Sequence, residues 1–150
     1  MADAQATEAG APSPRAFDGV RVGELFELLC APVTTRQLVM YAGASGDFNR
    51  IHYDQDFARE AGLGGVIAHG MLTMGLAGRC VAAWGGPGAV VRDISGRFLT
   101  PVRPGDAVRM GAEVTAKAVR DGAPCCDLAL TGRVGETRVF QGAATVVLKE

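Results

Sequence analysis

Apolar and polar positions change their spacing along the first part of the chain. Between 22 and 33 the apolar residues occupy both parities, which predicts a strand covered on both faces. From there the apolar spacing becomes helical, and Thr34 stands three residues before Gln37, as in a capping box. Gly46 suits the end of this helix, because glycine readily adopts the left-handed backbone that often follows a last helical turn. These positions predict one strand, then one helix that ends near Ser45.

A third stretch, 70–84, is apolar almost all round, which predicts a helix buried on most sides. Small residues recur along it: Gly75, Ala77, Gly78, Ala82 and Ala83. Glycine in a helix costs roughly 1 kcal/mol relative to alanine. We therefore expect other backbone, or a ligand, to approach this helix closely. A shorter helix is predicted to start at Asp54, a favoured N-cap residue.

The remaining chain has the composition of β-strands. Segments rich in Val, Leu, Thr and Phe are separated by turn signals, and they span 89–100, 106–120, 125–134 and 138–149. No β-α-β alternation is present, so a doubly wound sheet is not expected. The predicted fold class is α+β, with an antiparallel sheet of about five strands wrapped round a buried central helix.

Composition places the chain among single soluble domains. Its 150 residues are 48% hydrophobic and 21% charged, with a net charge of −1, so bulk charge favours neither nucleic acid nor an anionic membrane as a partner. No uninterrupted apolar run reaches the roughly 20 residues that span a bilayer. Residues 1–16 are rich in Ala and Pro, lack the features of a signal peptide and predict a disordered tail. The domain is expected at 17–150.

The four cysteines indicate whether the protein is found in a reducing or an oxidising compartment. Cys30, Cys80, Cys125 and Cys126 lack the C-x-x-C spacing of metal ligands, and two of them are adjacent, which is awkward for a disulfide. We interpret them as reduced, buried thiols of a cytoplasmic protein.

The stretch "YAGASGDFNRIHYD" carries the first candidate chemistry. Asp47 and His52 lie five residues apart, so on a regular helix their side chains would point about 140° away from each other. Gly46 and Asn49 favour a turn instead, in which both side chains can converge. A carboxylate beside an imidazole orients the ring and raises its basicity, which suits proton transfer near neutral pH. Asn49 could hold one partner through its amide.

Two other interpretations of this stretch remain open. Asp47 and His52 could form a hydrogen-bonded loop without catalytic function. Together with His69 they could also ligate a metal, although the two histidines are seventeen residues apart and form no helical pair. We favour the acid–base interpretation and expect no metal and no cofactor.

Gly70 supplies a second element. It begins the predicted buried helix, so its N–H is one of the unpaired donors at a helix N-terminus, where the macrodipole places roughly half a positive elementary charge. Such a donor suits a developing oxyanion, and a glycine lets a ligand come close. Acid, base and oxyanion donor are the groups needed to move a proton α to a carbonyl.

The motifs "SGDFNRIHYD" and "IAHGMLTMG", with "GRFLTPVRPGD" after them, resemble those of the MaoC-like (R)-specific hydratase/dehydratase family over about 17–148. Within the family, the chain is most similar to catalytic β subunits of two-subunit (3R)-hydroxyacyl-ACP dehydratases of type II fatty acid synthesis. The resemblance implies a single hotdog fold. It also implies reversible dehydration of (3R)-3-hydroxyacyl thioesters to trans-2-enoyl thioesters, on acyl carrier protein, in fatty acid or related polyketide elongation.

The resemblance also implies roles for individual residues. Asp47 and His52 match the catalytic pair, Asn49 supports them, and Gly70 matches the glycine whose N–H binds the thioester carbonyl. Candidate pocket-lining residues are Ile67, His69, Met71, Met74 and Gly78.

The sequence departs from the family pattern at two positions. Arg50 stands where proline is usual, and it would bring a positive charge near the mouth of the site, toward a phosphopantetheine phosphate. Gly78 stands where some hydratases carry a serine that holds the water, which weakens the expectation of strong CoA-substrate hydration.

Partners and alternative functions follow from the same resemblance. The substrate is expected to be an acyl-ACP or acyl-CoA thioester. The partner is expected to be a hotdog sister subunit in a heterodimer, or a second copy in a homodimer. The alternatives are an (R)-specific enoyl-CoA hydratase, a non-catalytic acyl-binding hotdog partner subunit and, less favoured, a thioesterase.

Overall fold

The helices precede all but one of the strands. In the computed structural model, which describes residues 13–149, three α-helices lie between β1 and β2: α1 (Thr35–Ser45), α2 (Gln55–Glu60) and α3 (Gly70–Gly85). The strands are β1 (Leu25–Leu29), β2 (Val90–Phe98), β3 (Arg109–Arg120), β4 (Ala123–Val134) and β5 (Thr137–Val147). Single 3₁₀ turns lie at Phe17–Gly19 and Arg50–His52.

The five strands form one antiparallel sheet in the order β1-β3-β4-β5-β2. Strands β3, β4 and β5 are joined by tight turns, whereas β1 and β2 form the two edges. The predicted five-stranded antiparallel sheet of an α+β fold is confirmed. The expectation that the first strand is covered on both faces is wrong: Leu25 and Leu29 are 61% and 58% exposed. Only one face of β1 packs on the core, through Phe26 and Leu28.

Predicted capping residues set the ends of the first two helices. The Thr34 hydroxyl accepts a hydrogen bond from the Gln37 amide, and Gly46 follows α1 with a φ of 74°. The Asp54 carboxylate accepts from the Phe57 amide at the start of α2. These side chains satisfy donors that the first turn of a helix leaves unpaired, so the boundaries follow from local sequence.

One side of helix α3 packs on the sheet. Its inner face buries Leu72, Ala77, Cys80, Val81 and Trp84. Against this face lie the buried sheet residues Met110, Leu128, Leu130 and Phe140. The opposite face is exposed at Met71, Gly75, Arg79 and Ala82. The helix is therefore less enclosed than its apolar composition predicts, because the sheet of one chain curls round only one side of it.

Close approach to α3 occurs at its ends. A Cβ added at Gly75 or Gly78 would meet no atom within 4 Å. A Cβ at Gly85 would lie 2.6 Å from that of Ala89, and one at Gly70 would lie 2.8 Å from the Phe98 ring. Within one chain, the close approach of backbone expected along the helix is therefore not found at Gly75 or Gly78, and the close contacts at Gly70 and Gly85 are with side chains.

The two ends of the described chain lie side by side. Ala16 forms an isolated bridge with Lys149, and the Arg15 guanidinium lies 4.9 Å from the Trp84 ring centroid. Most of the predicted disordered tail, residues 1–12, lies outside the described residues, as does residue 150. Within 13–149, no helix is both long and apolar enough to cross a membrane.

All four cysteines are buried free thiols. Burial raises the pKa of the Cys80 thiol to about 11, and it also raises the pKa values of Cys30 and Cys126. A thiol with a raised pKa is a weak nucleophile at neutral pH. These residues therefore behave as small core side chains, in line with the sequence interpretation.

Candidate active site

A tight turn after α1 positions the first two candidate residues. Asp47 Oδ1 accepts a hydrogen bond from the Asn49 amide, at 3.2 Å, and Asn49 Oδ1 accepts one from the Ile51 amide, also at 3.2 Å. These bonds bend the chain into the 3₁₀ turn at Arg50–His52. As a result Asp47 Oδ2 lies 3.8 Å from His52 Nε2. The side-chain amide of Asn49 bonds the backbone of the turn, and within residues 13–149 it forms no hydrogen bond with the side chain of Asp47 or His52. Asn49 contacts the pair through its backbone N–H, which donates to the Asp47 carboxylate.

The His52 ring is held in one orientation. Its Nδ1 lies 2.8 Å from the carbonyl oxygen of Ile67, which can only accept, so Nδ1 carries the proton. In the neutral ring, Nε2 then carries the lone pair on the side of Asp47. His52 is 6% exposed, whereas the Asp47 side chain is 53% exposed. The basic nitrogen is thus buried and the carboxylate lies at the solvent boundary.

His69 lies directly beneath this pair. Its ring stacks on that of His52 with centroids 3.7 Å apart and an interplanar angle of 21°. Its Nε2 lies 3.2 Å from the Asp47 carbonyl oxygen. Burial is the main cause that lowers the pKa of His69, the hydrogen bond with the Asp47 backbone opposes this, and nearby His52 lowers it further. His69 is therefore held in its neutral form.

A metal site was the alternative for these three residues. One ligand atom from each of Asp47, His52 and His69 lies within 4.8 Å of the others. Each ring bonds a backbone carbonyl through one nitrogen, which metal-ligating histidines also do, so these bonds do not decide the question. The rings are stacked at an interplanar angle of 21°, so their remaining lone pairs lie in separate, nearly parallel planes and do not converge on one ion. The geometry favours acid–base chemistry over metal ligation.

Gly70 faces the same space from the start of α3. Within residues 13–149, its N–H donates to no other group, as expected for the first residue of a helix. A cavity of about 360 Å³ opens in front of it. The lining residues are Ile51, His52, Ile67, Ala68, Gly70, Thr73, Phe98, Leu99, Thr100, Pro101, Val102 and Val139. The buried base and the helix N-terminus thus border one largely apolar cavity.

Only part of the predicted lining borders this cavity. Ile67 does, whereas His69 lies beneath His52, Met71 is 58% exposed, and Met74 packs against the core. Gly78 lies two turns further along α3 and does not line the cavity. The cavity opens between the N-terminus of α3 and the 98–102 segment, so side chains further along the helix do not reach it.

Nine of the twelve lining residues were absent from the sequence predictions, and two of these nine bear on the chemistry of the site. Thr73 is a buried hydroxyl in an otherwise apolar helix turn, three residues after Gly70, and this spacing places both on one helix face. Phe98 ends β2, and its ring lies against Gly70. The lone hydroxyl in an apolar stretch was a signal that could have been used. The position of Phe98 depends on strand pairing that no local pattern shows.

The charge of Arg50 is already paired. Its guanidinium donates to the Asp54 carboxylate at 2.6 and 3.1 Å and lies 4.5 Å from the Phe57 ring centroid. Arg50 therefore braces the start of α2 in this structure.

The sequence of the chain is similar to those of known dehydratases. The sequence model described as MaoC like domain matches residues 21–131. The chain is 36% identical over 131 residues to the 3-hydroxybutyryl-CoA dehydratase of Methylorubrum extorquens, a match that covers 87% of this chain and 82% of that protein.

Two solved structures resemble the fold. The R-hydratase PhaJ1 from Pseudomonas aeruginosa, in its unliganded form, matches with a TM-score of 0.81 and 28% identity, over 89% of this chain and 85% of that one. The ChsH1-ChsH2 complex from Mycobacterium tuberculosis matches with a TM-score of 0.75 and 28% identity, over 86% and 98%.

The fold and these relatives define a hotdog enzyme of the hydratase and dehydratase type. The chain belongs to the MaoC-like domain family. The family resemblance and the hotdog fold predicted from the sequence are both confirmed.

Proposed function

We propose that the protein catalyses the reversible dehydration of (3R)-3-hydroxyacyl thioesters to trans-2-enoyl thioesters, with Asp47 and His52 as the catalytic residues. One observation carries the proposal: the buried Nε2 of His52 and the Asp47 carboxylate are 3.8 Å apart beside the cavity that also contains the Gly70 amide. Membership of a family of hydratases and dehydratases supports it.

The distance between the Asp47 carboxylate and the His52 imidazole allows one oxygen atom of water or substrate to hydrogen-bond to both. At 3.8 Å the carboxylate and the imidazole are too far apart for a direct hydrogen bond, which needs about 2.7–3.2 Å. One oxygen between them can bond both, donating one proton to the His52 lone pair and another to Asp47. In hydration this oxygen belongs to the attacking water, which has both protons to donate. In dehydration it belongs to the C3 hydroxyl, which donates its single proton to Asp47 and accepts the proton that His52 has taken from C2.

In the dehydration direction the bonds balance without a cofactor. His52 Nε2 takes the C2 proton, and the C2–H electron pair moves toward the thioester carbonyl. The C2–C3 double bond then forms as the C3–O bond breaks, and the hydroxyl leaves as water with a proton from the pair. The free N–H of Gly70 stabilises the carbonyl oxygen while it carries charge. Loss of one such donor typically costs on the order of 10²–10³ in rate.

The pair is tested by matched substitutions. Asp47→Asn removes the carboxylate charge and His52→Ala removes the base, and we expect each to lower the hydration rate of a crotonyl thioester by at least about 10²-fold. Asp56→Asn is the control, because Asp56 is an exposed carboxylate of α2 whose side chain is 87% accessible. It should retain wild-type activity. Activity that survives both Asp47→Asn and His52→Ala would refute the assignment and favour a non-catalytic acyl-binding subunit.

The carrier is proposed as acyl carrier protein, on the sequence resemblance to type II dehydratase subunits. A CoA thioester is the second candidate, because a relative that matches most of this chain is named for a CoA substrate. Turnover of crotonyl-ACP and crotonyl-CoA by the same preparation separates them. A preference for the CoA ester would replace the carrier-protein assignment.

We also propose that the protein acts in a dimer of hotdog subunits. Met71, Gly75 and Ala82 are exposed on one face of α3, which also carries Arg79, and a matching solved structure is a complex of two proteins. The exposed face supports pairing with either a sister subunit or a second copy. Sedimentation of the purified chain, alone and with a candidate hotdog sister subunit, distinguishes the two assemblies.

A further inference from the structure

His69 contacts both members of the Asp47–His52 pair at once. On one side its ring stacks on that of His52, with 3.7 Å between centroids. On the other side its Nε2 lies 3.2 Å from the carbonyl oxygen of Asp47. His69 is 1% exposed and does not line the cavity. Its side chain reaches the site through these two residues, and its backbone directly precedes the Gly70 amide.

The hydrogen bonds fix the protons of the two rings on different nitrogens. A carbonyl oxygen can only accept, so Nε2 of His69 must carry a proton, just as Nδ1 of His52 does. The Nδ1 of His69 is buried and has no partner within residues 13–149. A proton added there would have no acceptor and would place a cation against the His52 ring.

The surroundings of His69 reinforce its neutral form. The titratable groups that face it are His52, Asp47 and Tyr41, whose ring centroid lies 4.9 Å away. Burial, the largest influence, lowers its pKa. A neutral ring next to His52 lets that residue accept a proton without facing a second cation at 3.7 Å.

We propose that His69 is a positioning residue that sets the separation and orientation of Asp47 and His52. The stack fixes the plane of the His52 ring, and the Nε2–H bond fixes the backbone from which the Asp47 carboxylate projects. This inference rests on the proposed function for its catalytic meaning, but the two contacts stand independently of it.

Loss of either contact should misplace the pair without removing it. Misplacement of a catalytic group by about 1 Å can cost on the order of 10²-fold in rate. Because His69 does not touch the cavity, substrate binding should change little. The expected signature is a fall in kcat with KM nearly constant.

Two variants separate the contacts. His69→Gln keeps a donor near the position of Nε2 and loses the stacked ring, whereas His69→Phe keeps a ring and loses the donor. We expect each to lower kcat by about 10- to 100-fold while KM stays within about threefold. Val114→Ala is the control for a purely structural effect, because Val114 is fully buried in β3. It should lower the thermal midpoint and leave kcat per folded enzyme near the wild-type value.

The outcomes against the proposal are equally definite. Wild-type kcat in both His69 variants would overturn it, as would a change confined to KM. A loss of activity that only follows the loss of folded protein, as in Val114→Ala, would also overturn it.

A second measurement needs no turnover. The chain has two histidines, so ¹⁵N imidazole NMR of the full-length protein reports His52 and His69 alone, and the His69→Gln spectrum assigns them. At about pH 7 we expect the His52 proton on Nδ1 and the His69 proton on Nε2. Matching tautomers, or a charged His69, would refute the positioning geometry. If the wild type hydrates no thioester, the proposed function fails while this measurement still decides the geometry.

Discussion

The ring of Phe98 approaches Gly70 so closely that a Cβ on that glycine would lie 2.8 Å from Phe98 Cε2. Phe98 ends β2 and Gly70 begins α3, so the contact joins the edge of the sheet to the helix N-terminus. The absence of a side chain at Gly70 allows both the ring and a ligand oxygen to approach the amide. Phe98 is 49% exposed, and its ring can move at modest cost.

Substitution of Gly70 by alanine should therefore affect activity more than stability. The new methyl would push the Phe98 ring into the cavity or block the approach to the N–H, and we expect kcat/KM to fall at least about 10²-fold. The thermal midpoint should change by only a few degrees, because the displaced ring is half-exposed. Steady-state kinetics and calorimetry measure the two effects. Gly70→Ala with Phe98→Leu should recover part of the loss, and full activity in the single variant would contradict the role of this amide.

Thr73 offers a hydroxyl to the cavity one turn after Gly70. It is 4% exposed and lines the cavity, and the side-chain hydrogen bonds formed within residues 13–149 do not include it. We expect Thr73→Val to leave stability unchanged or slightly higher, because no bond within the fold is lost. It should lower kcat/KM by roughly 3- to 10-fold, the usual value of one hydrogen bond to a substrate oxygen.

Thr73→Ser is the matched control for this prediction. It keeps the hydroxyl and loses only the methyl group, so it should retain more activity than the valine variant. The reverse order of activities would show that Thr73 contributes shape and not a hydrogen bond.

Arg50 stands where the family usually has proline, and the backbone already suits proline. Asn49 has φ −60° and ψ 125°, which is the extended conformation that a residue before proline prefers. Arg50 is the first residue of a 3₁₀ turn, a position where the missing N–H is tolerated. We expect Arg50→Pro to fold and to keep its thermal midpoint within about 3 °C of wild type.

Arg50→Ala separates charge from backbone in this experiment, because it removes the pairing with Asp54 without restricting φ. Arg50→Pro should be more stable than Arg50→Ala. Substrate affinity is a separate readout of the same two variants. If both lose affinity for an acyl-ACP substrate to the same degree, the guanidinium itself takes part in carrier binding.

Much of the local structure could be predicted from the sequence because short-range chemistry determines it. Thr34, Gly46 and Asp54 cap their helices as their positions indicate, and the late apolar segments form the predicted strands. The turn that joins Asp47 to His52 also depends on neighbours in sequence, through hydrogen bonds that span two residues. For this reason the juxtaposition of the two side chains could be anticipated.

The parts that could not be predicted depend on contacts between distant residues. The exposed face of β1 results from the packing of the core on its other face alone, and the cavity wall at Phe98 follows from the pairing of β2 with β5. The contact of His69 with Asp47 joins residues 22 positions apart. A single sequence contains no local signal for such neighbours. Pocket-lining residues were therefore expected along α3, whereas the cavity lies beside its first turn.

The neutral His69 makes folding stability depend on pH. Its pKa in the folded protein lies below the ordinary value of 6.5, so between these two values the unfolded chain binds a proton that the folded chain does not. Stability should therefore fall as the pH decreases through about 6.5, and this group's contribution should level off below its folded pKa. Asp54 and Asp127 also have lowered pKa values, but carboxylates lose their contribution at more acidic pH, near and below the ordinary value of 3.8.

Urea unfolding of the wild type and of His69→Gln, at several pH values from about 8 to about 5, isolates this effect. His52, the other histidine of the chain, is present in both proteins. The wild type should lose more stability than the variant as the pH falls, because glutamine does not titrate. Parallel curves for the two proteins would show that His69 takes up its proton equally well in the folded and unfolded states, and the stack with His52 would then have to accommodate a cation.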